Sequence, residues 1–158
     1  MSQMPESRKC SAKNSWRPRK PFVISGPAFL TVEDGPEVDH NLRFEHSQSG
    51  SGAQGRRWRE ARDGGWFSYE LKLPPAGTQI AVQILYWGRD DGREFDLLVE
   101  GTVIATPKLR GGKDDYYSVE YPVTSGLLAG KDKVTIRFQA QPGKAAGPIY
   151  DVRVVTVR

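Results

Sequence analysis

From Trp66 onward the chain alternates apolar and polar side chains with a period of two, the spacing that places every second residue on one face of a β-strand. In Trp66–Leu73, Phe67, Tyr69, Leu71 and Leu73 share one face, while Trp66, Ser68, Glu70 and Lys72 share the other. Pro74–Pro75 then ends the strand, because proline has no N–H to give to the ladder. Ile80–Trp87 repeats the pattern, with Ile80, Val82, Ile84 and Tyr86 inward and Ala81, Gln83, Leu85 and Trp87 outward. Glu94–Glu100 turns Phe95, Leu97 and Val99 inward, and a turn at Glu100–Gly101 returns Thr102–Lys108 as a hairpin partner. Tyr116–Tyr121, stopped by Pro122, and Val134–Ala140 follow the same rule. Ile149–Val157 reads as a last strand with apolar residues on both faces. Upstream, the Ser- and Gly-rich Gln48–Gly55 predicts a loop, and Phe22–Leu30, broken by Gly26–Pro27, predicts an edge strand or a segment laid over the sheets.

About seven short strands with frequent turn signals predict an all-β protein, a β-sandwich or jelly roll. Only Ser125–Ala129 suggests a helical turn. Seventeen Gly and eleven Pro fit this turn-rich layout, and 158 residues suffice for one domain with a core. The expected organisation is a disordered basic tail or linker over residues 1–21 and a single sandwich over residues 22–158.

Charge changes the list of partners. The net charge of +4 invites a nucleic-acid reading, but residues 1–21 hold six basic side chains and one acid, leaving 17 basic and 18 acidic ones in the rest. The folded part is therefore close to neutral and lacks the basic stripe that phosphate neutralisation requires, so no nucleic acid is expected. No apolar run reaches the length of a membrane span, and the first twenty residues contain no apolar signal-peptide core; the compartment stays open. The single cysteine, Cys10, allows no intramolecular disulfide and no multi-cysteine metal site.

Catalytic signatures are missing. His40 and His46 lack ligand spacing, no nucleophile elbow or phosphate loop occurs, and acid pairs such as Asp34/Glu37 and Asp114/Asp115 read as solvated turn residues. Binding chemistry is better represented. The segment Arg56–Trp66 carries Trp58, Arg59, Arg62, Asp63 and Trp66, and the segment Trp87–Arg93 carries Trp87, Arg89, Asp90 and Arg93. Flat aromatic rings cover the apolar C–H faces of sugars, Arg donates to vicinal hydroxyls in a planar fork, and Asp accepts. Both segments flank predicted strands, so their loops are expected at one end of the sandwich, against an oligo- or polysaccharide. A plainer role fits the same residues: the tryptophans as a second packing layer, the Arg–Asp pairs as loop braces. No cofactor is expected other than a structural Ca²⁺, for which Glu45 and Asp151 are the candidates, without a defined calcium-loop spacing.

At these segments the chain resembles a known family. Glu37–Leu42, Gly55–Tyr69, Tyr86–Gly88, Arg93–Asp96 and Arg137–Ala140 with Pro142–Gly143 are similar to the C-terminal β-sandwich, described as a substrate-binding domain, of the β-L-arabinofuranosidase group of glycoside hydrolase families 127 and 146. The resemblance runs from about Thr31 to Val155 and departs at Phe44, where a glycine is expected. It implies a jelly-roll β-sandwich, galactose-binding-like or carbohydrate-binding-module-like, acting as an accessory domain without the catalytic barrel, with an arabinan or pectic plant-wall glycan as ligand and a catalytic glycoside hydrolase domain as a further partner. A module that braces such a catalytic domain without binding sugar is the competing function.

Overall fold

The computed structural model describes residues 29–31 and 36–157, so the expectations for the basic tail, for Phe22–Ala28 and for Asp34 lie outside the described residues. The strands are β1 (Phe29–Thr31), β2 (Arg43–Ser51), β3 (Arg57–Lys72), β4 (Ile80–Trp87), β5 (Asp91–Val99) and β6 (Thr102–Ala105). They continue with β7 (Lys108–Arg110), β8 (Tyr116–Val123), β9 (Lys133–Ala140), β10 (Ala145–Ile149) and β11 (Asp151–Thr156). A one-turn helix, Pro36–Asp39, and 3-10 turns at Ala53–Gly55 and Ser125–Leu128 complete the elements.

Two antiparallel sheets face each other. One runs β1-β11-β4-β8; the other runs β10-β3-β9-β5-β6, with β2 added on β3 and β7 on β5. The 16-residue β3 organises the second sheet. Its first half pairs with β10, its second half with β9, and β2 runs along its other edge. Phe67, Tyr69, Leu71, Ile136, Phe138, Phe95 and Leu97 from this sheet meet Ile80, Val82, Ile84, Tyr86, Val152 and Val154 from the other in one buried cluster. Phe67 stacks on Phe138 at 4.8 Å between ring centres. Each such side chain contributes about 1.5–3 kcal/mol on burial. The one internal hydroxyl of β4, that of Tyr86, is satisfied by Tyr121 at 2.8 Å.

The inward positions read from the period of two are those the core uses, and the sandwich is the predicted fold. Four local expectations need correction. Gln48–Ser51 is not loop but the end of β2, paired with Arg57–Glu60, because an edge strand needs only backbone partners and tolerates small side chains. Arg57–Gly65 is likewise strand, interrupted where Asp63 and Gly64 take positive φ (46° and 80°). Pro122 lies inside β8 rather than after it; β8 is the edge of its sheet, where a missing N–H costs no ladder bond. The C-terminal stretch is two strands, not one: β10 belongs to one sheet, β11 to the other, and the chain changes sheets at Tyr150. That crossing explains why apolar residues there fall on both faces.

Candidate functional site

Three chain segments converge at the end of the sandwich where β4 stops and β8 starts. Trp87 and Tyr116 are opposite each other in register, so the loops that follow and precede them run side by side. The Gly88 N–H donates to the Asp115 carbonyl at 2.8 Å, and the Lys113 N–H donates to the Gly88 carbonyl at 3.2 Å. Gly88 is required here, since a Cβ would stand 2.7 Å from the Asp115 carbonyl oxygen. A side-chain-sized neighbour would part the two loops.

A second apolar cluster seals this end. Leu85, Tyr116 and Tyr150 are buried in it, with Trp58, Trp87 and Ala53 half-buried against them. Trp87 packs on Tyr116 at 4.7 Å, and Tyr116 meets Tyr150 edge-on at 5.0 Å. The Tyr116 hydroxyl donates to the Ala53 carbonyl at 2.6 Å, and the Arg56 guanidinium lies over the Tyr116 ring at 5.2 Å. The Gly-Ser repeat that looked like a loop has a packing purpose: a Cβ on Gly50 would lie 2.6 Å from the Trp58 ring.

Beside the aromatics lies a charged network centred on Glu60. Trp58, Glu60 and Arg62 alternate onto one side of β3, opposite to Arg59 and Ala61. Glu60 accepts from Arg93 Nη1 at 3.0 Å, from Arg62 Nε at 2.7 Å and from Gln48 Nε2 at 3.2 Å. Burial alone would push the Glu60 carboxyl up, but these donors outweigh it and hold the carboxyl below the ordinary range. Asp90, in the β4–β5 loop, goes the other way. Burial, with repulsion from Glu60 against the attraction of Arg93, pushes its carboxyl up to about 6. Its Oδ2 is buried and has no hydrogen-bond partner among the described residues. Burial also raises the neighbouring Tyr116 and Tyr150 hydroxyls, and the Asp90 charge adds to both.

The two segments singled out in the sequence therefore meet, through the Arg93–Glu60 bond, but their residues divide by role. Trp58 and Trp87 belong to the aromatic seal. Arg93 is spent on Glu60 and on the Gly147 carbonyl at 3.3 Å. Arg62 and Arg89 are exposed, Arg89 pairing with Asp114 at 2.9 Å. Asp63 braces a turn by accepting from the Gly143 N–H at 2.9 Å. Arg59 faces the other way altogether. Buried, it holds Glu37 through Nε at 2.7 Å and Nη2 at 3.2 Å, and donates to Ser47 at 2.9 Å. The Tyr69 hydroxyl shares Glu37, so this triad pins the Pro36–Asp39 turn to the sheet. Trp66 lies on the outer face of the β3 sheet with the Arg137 guanidinium stacked at 4.1 Å, away from the loop end.

Glu45 is exposed on β2 and Asp151 is buried at the start of β11 beside Arg153, so the two calcium candidates sit in different sheets. Among the described residues no three His, Cys, Asp or Glu side chains are grouped as a metal would need. Glu60, Tyr116 and Tyr150 are site residues that sequence reading passed over. Tyr116 opens β8 and Tyr150 lies between β10 and β11, positions that become a signal only when the partner loops are known.

A family model described as "Family of unknown function (DUF6805)" matches residues 29–155. No curated protein is detectably similar in sequence. Among solved structures, a family 35 carbohydrate binding module from Clostridium thermocellum is similar with a TM-score of 0.61 at 13% identity, covering 82% of this chain and 98% of that one. An exo-β-1,3-galactanase from Phanerochaete chrysosporium gives 0.59 at 14%, covering 83% of this chain and 30% of that one. The C-terminal family 6 module of a marine laminarinase from Zobellia galactanivorans gives 0.55 at 17%, covering 80% and 98%. At these identities the likeness is one of fold.

Proposed function

The chain belongs to DUF6805, a family of unknown function, and we propose that it is a non-catalytic carbohydrate-binding module. The observation that carries this reading is the convergence of Trp87, Tyr116, Arg56, Arg89 and Asp90 on one end of a sandwich whose fold is that of carbohydrate binding modules. Half-buried aromatic surface beside the exposed Arg89 guanidinium and the half-buried Asp90 carboxylate is the combination that sugar rings need: an apolar face to cover and hydroxyls to bond. The Glu60–Asp90 carboxylate pair favours binding over hydrolysis. Both oxygens of Glu60 are engaged by Arg93, Arg62 and Gln48, and its side chain is 2% exposed, leaving no approach to a glycosidic bond. The ligand we propose is a plant-wall glycan of the arabinan or pectic type, with the domain serving as an accessory to a glycoside hydrolase of the arabinofuranosidase kind; this rests on the sequence resemblance of Gly55–Tyr69.

Calorimetric titration of the protein with arabino-oligosaccharides and pectic side-chain fragments tests the reading. Saturable binding is expected, and Trp87→Ala should weaken it at least several-fold while the circular dichroism of the sandwich persists. Flat titrations across the panel would refute it. They would favour the second reading, a module bracing a catalytic domain, which is supported by the inward commitment of Trp58, Arg59 and Tyr150 and by Phe44 at 53% and Val103 at 50% exposure.

A further inference from the structure

Next to the aromatic end, β5 and β7 pair antiparallel, Glu94 opposite Lys108 and Asp91 opposite Arg110. Between them and Lys144 opens a groove of about 200 Å³, room for one sugar-sized group rather than a buried chain. Its charged lining is Arg93, Lys108, Arg110, Lys144, Asp91 and Glu94, four cations against two carboxylates.

The carboxylates do not neutralise the groove. Glu94 accepts a close contact from Lys144 at 2.7 Å and a loose one from Lys108 at 3.8 Å. Asp91 turns its Oδ1 to the Gly92 N–H at 2.8 Å. Arg93 is held by Glu60 from behind. Arg110 is exposed, and its side chain makes no hydrogen bond or ion pair among the described residues. Lys108 and Arg110 are two residues apart on one strand and so project from the same face, where like charges repel unless an anion lies between them. An open guanidinium beside an ammonium is suited to a planar carboxylate or a sulfate, the first through Arg's paired donors. Arg93 lines this groove and also anchors the Glu60 network, so a glycan residue in the groove would be adjacent to Asp90 and the aromatic end.

We propose that the β5–β7 groove takes an anionic sugar residue, bearing a carboxylate or a sulfate, of a polysaccharide bound at the same end of the sandwich. This rests on the carbohydrate-binding reading and narrows it from glycans in general to acidic ones.

The test compares wild type, Lys108→Ala/Arg110→Ala and the control Lys72→Ala/Lys133→Ala on polygalacturonate, a sulfated galactan and neutral arabinan. The control removes the same charge from an exposed cross-strand lysine pair elsewhere on the sheet. Both changed groove residues are exposed, and melting curves check that the variants stay folded. Wild type is expected to favour an acidic glycan over arabinan. The groove variant should lose about ten-fold or more on the acidic glycan, the worth of a hydrogen bond to a charged group, and less than about two-fold on arabinan. Whether the loss falls on the uronate or the sulfate arm identifies the anion. Equal losses in groove and control variants would reduce the effect to net charge and overturn the proposal. So would equal wild-type affinity for arabinan and the acidic glycans, which leaves the module reading standing. Binding to no glycan at all ends both.

Discussion

Asp90 offers a sharp test of how the loop end is built. Its carboxyl is displaced from 3.8 to about 6, first by burial, then by the Glu60 charge, with Arg93 in opposition. One pKa unit corresponds to about 1.4 kcal/mol, so the full displacement amounts to about 3 kcal/mol; discounted for the solvent screening of a half-buried group, about 1 kcal/mol should be measurable. The sign follows from linkage. A folded-state pKa above the unfolded one means that the native protein holds more protons between about pH 4 and pH 6, so this group's contribution to stability falls across that window and is level above it. Asp90→Asn removes the titration. Urea unfolding of wild type and variant at about pH 4 and about pH 7 isolates it, because every other titrating group is common to both. The variant's stability relative to wild type should improve by about 1 kcal/mol between the two pH values. A difference that is the same at both, or that moves the other way, would refute the assignment of Asp90 as a carboxylate desolvated beside Glu60.

Two further changes probe what holds the site in place. Glu37→Ala leaves the buried Arg59 guanidinium and the Tyr69 hydroxyl without their shared acceptor, and should cost about 3–5 kcal/mol in chemical denaturation. Replacing Glu37 and Arg59 together by Met should recover part of that loss, since the penalty is mainly the unpaired charge; no recovery would argue against it. Gly50→Ala sets a methyl 2.6 Å from the Trp58 ring and should destabilise by about 1–3 kcal/mol, read as a lower melting temperature. A change within about 0.5 kcal/mol would show that the ring is not wedged there.

Much of the architecture is written in one dimension. Alternation in Trp66–Lys72, Ile80–Trp87 and Lys133–Ala140 picks the inward residues without knowledge of any partner, because side-chain direction in a strand is set by the backbone alone. The turn at Glu100–Gly101 is equally local: both residues take positive φ, 52° and 80°, as a two-residue hairpin requires. Gln48–Ser51 defeats such reading, since its Ser and Gly side chains advertise a loop while the reason for them, the Trp58 ring, lies on another strand. Tyr150 defeats it too, because the switch of sheets between β10 and β11 is a property of the pairing and not of the residues.

The loop-end site divides in the same way. Composition and spacing pointed to Arg56–Trp66 and Trp87–Arg93, as aromatic and charged residue types are visible in a sequence. Which of them face solvent is not visible. Arg59 and Arg62 look alike on paper, yet strand parity sends one into a buried bridge with Glu37 and leaves the other at the rim beside Glu60. The groove cations come from two distant segments, Lys108 and Arg110 from β7 and Lys144 from the loop before β10, and they meet only because that loop and β7 both lie against β5. The sequence alone determined the sandwich, its inward face and the neutrality of its folded part, since period and composition need no neighbours. Tertiary structure alone decided which charges are consumed by one another and which stay open to a ligand, because pairing depends on distances that chain order does not encode.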